Sequence, residues 1–225
     1  DRAYEAMASV VIHGASTFAQ DKENLRQLIS RRIVEIYASR RAVVGDSERS
    51  IPRVVNADVE REIASFQGRE RQFFLAAYQR SGLYRPMIVA QLQAAGLPEA
   101  LSWLPLVESG FNARALSSAR ALGLWQFIAS TGYRYGLKRS DWIDERMDPI
   151  KATGAAIGYL TDLHGLLGDW LTALAAYNCG EQNVLRQIQR QKESYFDQFW
   201  DLYARLPQET RRYVPRFLAT LAILE

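Results

Sequence analysis

The sequence predicts an all-α fold. Apolar residues recur at spacings of three and four along most of the chain, which is typical of helices that bury one face. Glycines punctuate these segments and prolines open several of them. No stretch sustains the alternation of apolar and polar residues that a half-buried strand would show. With 48% hydrophobic residues, the chain can form a sizeable core.

The N-terminal part of the chain is predicted to be a separate helical arm. An amphipathic helix is predicted over 21–41, and the polar segment 44–52, which contains a glycine and a proline, is the best linker candidate. We therefore divide the chain into an arm of unknown role, residues 1–50, and a helical domain, residues 51–225. The arm either packs against the domain or binds a partner.

Capping residues place the first helices of the domain. Asn56 is a predicted N-cap, and its helix is expected to run towards Gly82 with an interruption at Gly68. The next two helices are predicted over 86–96 and 98–110, since each begins with a proline and ends at a glycine.

The later helices follow from similar signals. Pro105 lies inside its predicted helix and should kink it. Asp148 is a predicted N-cap before Pro149, and the helix it opens has an apolar face made of Ile150, Ile157, Leu160, Leu163 and Leu167. The remaining predicted helices are Trp170 to Asn178, capped by Asp169, then Ser194 to Ala204, and Glu209 to Leu224 with a kink at Pro215.

Composition excludes several classes of function. A net charge of +3 is too small to indicate nucleic-acid binding. No metal-ligand spacing appears, so no metal and no cofactor are predicted. A single cysteine, Cys179, excludes an internal disulfide, and the apolar runs are too short to span a bilayer.

The chain begins with Asp1 and ends inside a predicted helix, so we expect it to be a processed or trimmed piece that lacks targeting segments and further domains.

One acidic residue stands where an apolar one is expected. Leu97, Leu101 and Leu104 precede Glu108 at spacings of four, three and four, which places Glu108 on the core-facing side of a helix. A carboxyl group there loses hydration and its pKa should rise, as a general acid requires. Taken alone, the residue also fits a surface glutamate in a last helical turn.

Three later segments carry side chains suited to sugars. Ser117 lies in a polar loop, 123–127 combines a tryptophan with an amide, and 175–178 ends in a tyrosine and an asparagine. Amides and hydroxyls beside aromatic rings are the usual lining of a sugar groove. Each segment alone also fits core packing, a helix cap or a solvated loop, but the group together predicts a glycan site.

The order of these motifs resembles a known family. Glu108-Ser109-Gly110-Phe111-Asn112, Ser117, Gly123-Leu124-Trp125-Gln126-Phe127, Ala176-Tyr177-Asn178 and 209–215 follow one another as in the soluble-lytic-transglycosylase superfamily, most closely its membrane-bound lytic murein transglycosylase D branch. The resemblance covers residues 51–225. It implies a lysozyme-like, goose-type helical fold that cleaves the β-1,4 bond between N-acetylmuramic acid and N-acetylglucosamine in bacterial peptidoglycan.

The resemblance also implies roles for individual residues. Glu108 matches the catalytic acid/base and Ser109 the residue that supports it. Ser117 and Gln126 match positions that contact the sugar. Tyr177 and Asn178 match a tyrosine and an amide near the acid, and Tyr213 matches a tyrosine near the reacting sugar. The chain departs from the family where Cys179 replaces an alanine and Gln182 replaces a glycine. If that glycine takes a positive φ, Gln182 must strain or reshape the loop.

The motifs supply one carboxylate, whereas ordinary glycosidases use two. We assign Asp148 to a cap and Asp141, Asp144 and Glu145 to a solvated turn. The 6-hydroxyl of muramic acid can then act as an intramolecular nucleophile and give a 1,6-anhydro end without water. A hydrolase on the same fold, an inactive peptidoglycan-binding module and an unrelated helical interaction protein remain alternatives, and endo- and exo-lytic action are both compatible with the motifs.

The resemblance places the protein in the bacterial periplasm or cell envelope. Peptidoglycan glycan strands are the implied partner, and attachment to the membrane would use segments outside this chain.

Overall fold

The computed structural model describes residues 50–191 and 196–225. The predicted helix over 21–41 and most of the predicted linker lie outside the described residues, so the division at residue 50 stays a prediction. The α-helices of the described residues are α1 (Ala57–Gln67), α2 (Arg71–Ala94), α3 (Leu104–Ser109), α4 (Ala129–Arg134), α5 (Pro149–Leu167), α6 (Trp170–Cys179), α7 (Glu181–Gln189), α8 (Phe199–Leu202) and α9 (Gln208–Leu224).

Extended structure is limited to short pairings in the loops. Over 50–191 and 196–225, isolated β-bridges join Leu116 to Leu122, Leu122 to Phe127 and Arg139 to Asp144, and no longer strand forms. Short 3-10 helices cover Glu99–Trp103, Glu145–Met147 and Tyr203–Arg205. The all-α prediction is therefore confirmed. No helix in this part of the chain is both long enough and apolar enough to cross a bilayer.

The predicted N-caps are confirmed by their hydrogen bonds. The Asn56 side chain accepts from the backbone N–H groups of residues 58 and 59 at 3.1 Å each. Asp148 accepts from the first turn of α5 at 2.9 and 3.1 Å, and Asp169 accepts from Thr172 N at 2.8 Å. Each side chain satisfies N–H groups that a helix start leaves without an intrahelical partner.

The prediction of a helix start at Pro86 is wrong. The chain breaks at Gly68 as predicted, but α2 then continues through Gly82 and Pro86 to Ala94. Proline removes one hydrogen bond from a helix interior. Ile88 and Leu92 beyond it are fully buried, and their burial offsets that loss.

The helix predicted over 98–110 is divided in two. A 3-10 segment, Glu99–Trp103, precedes α3, and Pro105 lies in the first turn of α3 instead of kinking a longer helix. The end at Gly110 is confirmed, with φ 59°. In α5, Leu160, Leu163 and Leu167 are buried as predicted, but Ile150 is 63% exposed because the first turn of α5 projects into solvent.

The core is built around α6. Residues 170–176 of α6 are buried on every side, and α5, α7 and α9 pack around them. On its other sides α9 packs against α1 and α3. The C-terminal end of α6, the end of α3 and the first half of α9 consequently meet. Most polar residues of the motifs lie on these three segments, and Ser117 and Gln126 lie in the loop between α3 and α4.

A matched pair of glycine substitutions tests the backbone of the loop that follows α3. Gly123 has φ 88°, and a Cβ built on it would lie 1.9 Å from the carbonyl oxygen of Arg146. Gly165 lies in α5 with nothing within 4 Å of such a Cβ. We expect Gly123→Ala to lower the free energy of unfolding by about 2–4 kcal/mol.

We expect Gly165→Ala to raise the free energy of unfolding by up to about 1 kcal/mol, because alanine is the better helix former. Urea unfolding measures both values. Equal effects of the two substitutions would contradict the close approach at Gly123.

Candidate active site

Glu108 and Tyr213 meet between α3 and α9. The Tyr213 hydroxyl donates a hydrogen bond to Oε1 of Glu108 across 105 residues of sequence. Tyr213 is buried, and Glu108 is half-buried in the last turn of α3, with Leu104 and Leu106 of the same helix fully enclosed. The Tyr213 phenol thus binds Oε1 of the carboxyl, and Oε2 is available to a ligand.

Burial raises the pKa of Glu108 to about 8. The hydrogen bond from Tyr213 acts in the opposite direction, since it favours the carboxylate, and the nearby negative charge of Glu209 adds to the rise. Desolvation is the largest of the three causes. At neutral pH the group is therefore mostly a neutral carboxylic acid that can give a proton to a ligand.

The phenols beside Glu108 stay neutral. Burial, followed by the charge of Glu108, raises the pKa values of both Tyr177 and Tyr213 well above their ordinary value. The Tyr177 hydroxyl donates to the backbone oxygen of Trp125 at 2.8 Å. This bond ties the end of α6 to the loop that precedes α4.

Ser109 fastens that loop to α3. Its hydroxyl lies 2.9 Å from the backbone oxygen of Leu124 and 3.2 Å from that of Pro105, and it accepts from Asn112 N at 3.2 Å. The family resemblance implied that Ser109 supports Glu108. The contacts of Ser109 support it indirectly, because they fix the end of α3 and the adjoining loop rather than the carboxyl itself.

Ser117 and Gln126 shape the same loop. Ser117 Oγ accepts from Ala121 N at 3.0 Å and closes a turn. Gln126 has φ 48°, and its amide nitrogen donates to the backbone oxygens of Ala115 and Gly123 at 3.0 and 2.9 Å. The amide N–H groups of Gln126 serve the loop, which leaves its Oε1 to accept a hydrogen bond from a ligand.

Trp125 is a core residue, and its ring is not accessible to a sugar. It is fully buried, and its indole N–H donates to Thr153 Oγ1 at 3.0 Å. The interpretation of its ring as part of a sugar-lining group is therefore wrong. Its contribution to the site is the backbone oxygen that Tyr177 binds.

Sequence reasoning missed a tyrosine cluster behind Tyr177. The ring of Tyr159 lies 5.2 Å from that of Tyr177 and 5.1 Å from that of Tyr135. The Tyr159 hydroxyl donates to Glu181 at 3.2 Å, and Arg134 pairs with the same carboxylate at 3.0 Å. The sequence signal for this cluster was Gly158, because a glycine in a helix allows a neighbouring ring to approach closely. A Cβ at this position would come within 3.2 Å of the Tyr135 ring.

Asn178 braces α6 against α9. Its Oδ1 accepts from the buried Thr210 hydroxyl at 2.8 Å, so its amide N–H groups are left for other partners.

The two departures from the family pattern are accommodated nearby. Gln182 lies inside α7 without a positive φ, so the strain expected there does not arise. Burial raises the pKa of the half-buried Cys179 thiol, as packing rather than nucleophilic chemistry requires.

The acidic residues at 141–148 offer no second acid. Asp144 pairs with Arg146 at 2.7 Å, which holds the pKa of that carboxyl below its ordinary value. The pKa of Glu145 is lowered in the same way by Lys151. Within the part of the chain that the structure describes, no three His, Cys, Asp or Glu side chains are grouped to hold a metal.

The raised pKa of Glu108 predicts a pH-dependent loss of stability. The unfolded chain releases this proton near pH 4.5, whereas the folded protein keeps it to about pH 8, so rising pH favours the unfolded state between these values. We expect Glu108→Gln to match the wild type near pH 4.5 and to exceed its free energy of unfolding at pH 8 by up to about 5 kcal/mol.

Urea unfolding from pH 4.5 to 9 measures this difference. Glu60→Gln, the same substitution on the exposed face of α1, controls for the loss of one charge. A Glu108→Gln difference that stays constant across the range would refute the raised pKa.

Tyr213 is predicted to lower the pKa that burial raises. We expect Tyr213→Phe to move the pKa of Glu108 further above 8, because the phenylalanine ring cannot donate to the carboxylate. Carboxyl carbon NMR of glutamate-labelled protein follows the titration. Tyr177→Phe is the matched control, since that hydroxyl donates to Trp125 instead. A fall in the pKa of Glu108 in Tyr213→Phe is the result that would exclude this role.

Comparison with known proteins gives concordant matches. Residues 85–199 match the family described as the transglycosylase SLT domain. The chain is 40% identical over 159 residues to membrane-bound lytic murein transglycosylase D of Escherichia coli (strain K12), which covers 70% of this chain and 35% of the relative. It is 41% identical over 110 residues to a putative tributyltin chloride resistance protein of Alteromonas sp. (strain M-1), covering 48% of this chain and 53% of that protein.

A solved structure shares the fold. An inactive mutant of lytic transglycosylase Slt from Pseudomonas aeruginosa superposes with a TM-score of 0.52 at 19% identity, over 83% of this chain and 39% of that one. This likeness confirms the predicted lysozyme-like helical fold. The chain spans about a third to a half of the length of the relatives it matches. Since the family model covers more than half of its residues, the chain belongs to the transglycosylase SLT domain family.

Proposed function

We propose that this protein is a lytic transglycosylase that cleaves bacterial peptidoglycan between N-acetylmuramic acid and N-acetylglucosamine. The observation that carries the proposal is the carboxyl of Glu108, raised to a pKa of about 8 and held by Tyr213. Family membership and the name of the Escherichia coli relative, a lytic murein transglycosylase, support the same reaction class on murein.

In the first step Glu108 acts as a general acid. Its carboxyl proton passes to the oxygen that links the two sugars, and the bond from that oxygen to C1 of N-acetylmuramic acid breaks. The departing N-acetylglucosamine keeps the proton as a hydroxyl. Positive charge develops at C1, where the substrate's own acetamido group can stabilise it.

In the second step the same carboxylate acts as a general base. It takes the proton of the 6-hydroxyl of the muramic acid, and that oxygen forms a bond to C1. The product is a 1,6-anhydro end, Glu108 is again protonated, and no water is consumed. An attacking group on the same sugar has a large entropic advantage over a solvent molecule.

The surroundings of Glu108 favour this route over a two-carboxylate mechanism. Asp144 and Glu145 are ion-paired, with lowered pKa values. Asp148 caps α5. A hydrolase on the same fold, in which water attacks C1, is the second candidate, and the partial exposure of Glu108 favours it because a water molecule can enter the site beside it.

The remaining site residues are proposed to bind the sugars. Gln126 would accept from a sugar hydroxyl through Oε1, and Asn178 would donate through the amide not engaged by Thr210. Ser117 lies in the loop that the Gln126 amide holds and would contact the same sugar. Tyr177 and Tyr213 position the loop and the acid, and Ser109 holds α3 to the loop.

The cell envelope is the proposed location. Its substrate lies there, and the Escherichia coli relative is named a membrane-bound enzyme. Segments beyond this chain would supply attachment to the membrane. Residues 1–50 are proposed as an arm that precedes the catalytic domain, 51–225.

Mass spectrometry of digested peptidoglycan tests the reaction. We expect wild-type protein to release muropeptides that are lighter by one water than the products of a hydrolytic lysozyme on the same substrate. Glu108→Gln should lower the rate by a factor of about 10²–10⁴, because an amide cannot transfer the proton. Glu60→Gln should digest at the wild-type rate.

The outcomes separate the candidates. Products that carry the extra water would identify a hydrolase. Wild-type protein that binds peptidoglycan without releasing any soluble product would identify an inactive binding module. Full activity in Glu108→Gln would remove the proposed acid/base.

A further inference from the structure

A cavity lies between α1 and α9. It has a volume of about 760 Å³, within the size range of small-ligand sites. Four arginines and two carboxylates line it, together with neutral side chains. The charged residues are Asp58, Arg61, Glu62, Arg69, Arg211 and Arg212. The lining therefore carries an excess of two positive charges.

The body of α9 separates this cavity from Glu108. Successive residues of an α-helix are rotated by about 100°, so Arg211 and Pro215 lie nearly opposite Tyr213 on α9. Tyr213 points to Glu108, whereas Arg211 and Pro215 line the cavity. A ligand can occupy the cavity without entering the proposed catalytic site.

Two of the four arginines are already neutralised. Arg212 binds both carboxylate oxygens of Glu62 at 2.8 and 3.0 Å. Arg61 pairs with Asp58 on α1. These pairs account for both carboxylates of the lining, so the excess charge resides on Arg69 and Arg211.

Arg211 and Arg69 lack an acidic partner among the described residues. Arg69 donates from Nε to the Ser65 hydroxyl at 3.0 Å. Nε of Arg211 is enclosed and has no hydrogen-bond acceptor in this part of the chain, and its guanidinium stands 6.0 Å from the Tyr203 ring. An enclosed charged donor without an acceptor is destabilising, so a bound oxyanion that accepts from Arg211 would stabilise the site.

The lining suits a carboxylate that belongs to a peptide. The planar fork of a guanidinium matches carboxylate and phosphate alike. Both carboxylates of the lining are ion-paired, so the choice of anion rests on the neutral groups around Arg211 and Arg69. Gln208, Ser65 and Tyr203 add neutral hydrogen-bonding groups of the kind that recognise a peptide backbone.

We propose that the cavity between α1 and α9 binds a carboxylate of the peptide that is attached to the glycan strand, through Arg211 and Arg69. The assignment of the peptide rests on the proposed function. The site would hold a cross-linking peptide on the far side of α9 while the glycan lies at Glu108, and it would favour strands that still carry their peptides over bare glycan.

Calorimetry on the full 225-residue chain tests the site directly. The probe is the tripeptide alanyl-γ-glutamyl-diaminopimelate, compared with the same tripeptide with its carboxylates amidated and with inorganic phosphate. We expect the free tripeptide to bind and the amidated one not to bind. Arg211→Gln and Arg69→Gln should each weaken binding at least tenfold, whereas Arg190→Gln, an exposed arginine at the end of α7, should leave it unchanged.

Thermal unfolding shows that each variant is folded, and digestion of peptide-free glycan strands should proceed equally in Arg211→Gln and wild type. Failure of the tripeptide to bind wild-type protein that still cleaves glycan would overturn the peptide site and leave the proposed function intact. Arg211-dependent binding without any glycan cleavage would support the site and overturn the enzyme. Binding of phosphate in place of the tripeptide, or equal loss in Arg190→Gln, would also overturn the proposal.

Discussion

The hydrogen bond between Tyr213 and Glu108 is the contact on which the rest of the site depends. It joins a six-residue helix, α3, to a seventeen-residue helix, α9, and it places an acid where hydration is poor. Burial favours the neutral carboxyl, while the phenol favours the carboxylate, and burial is the larger effect. The two opposed effects leave a proton that is held at neutral pH and is still released with little cost, which a group that both donates and accepts a proton needs.

Contacts of α9 fix the position of Tyr213. Towards α1, Arg216 bridges Glu62 and Glu70 at 3.0 and 2.7 Å, and stands over the Phe66 ring at 4.5 Å. The desolvated carboxylates are thus paired, with lowered pKa values, in contrast to Glu108, which has no basic partner among residues 50–191 and 196–225. Towards α6, the Thr210 hydroxyl donates to Asn178 and links α9 to that buried helix. The position of Tyr213 follows from these contacts of its own helix, so a rigid element rather than a loop presents it to the acid.

The sequence predicted those features of the site that depend on local spacing. Asn56, Asp148 and Asp169 were recognisable as caps because their partners lie two or three residues away. The core-facing placement of Glu108 followed from helical periodicity. Its bond to Tyr213 spans 105 residues, and no local pattern specifies such a pairing, so the family resemblance alone brought Tyr213 to the site. The predicted helix start at Pro86 was wrong for a related reason. The effect of Pro86 on α2 is outweighed by burial of Ile88 and Leu92 against distant parts of the chain.

Backbone conformations show why the loop after Glu108 can present polar groups in fixed directions. In the described residues the only positions other than glycine with positive φ are Phe111, Arg120 and Gln126, and all three fall between the acid and the end of that loop. Such conformations cost of order 1–3 kcal/mol each and persist only where surrounding contacts impose them. Here the contacts are visible: Phe111 is fully buried, and the Gln126 amide binds two backbone oxygens. Arg146 donates to the backbone oxygens of Arg120 and Phe127 at 3.1 and 3.0 Å. A segment restrained at so many points loses little further entropy when a sugar binds, and it can therefore direct binding energy to the orientation of the bond beside Glu108.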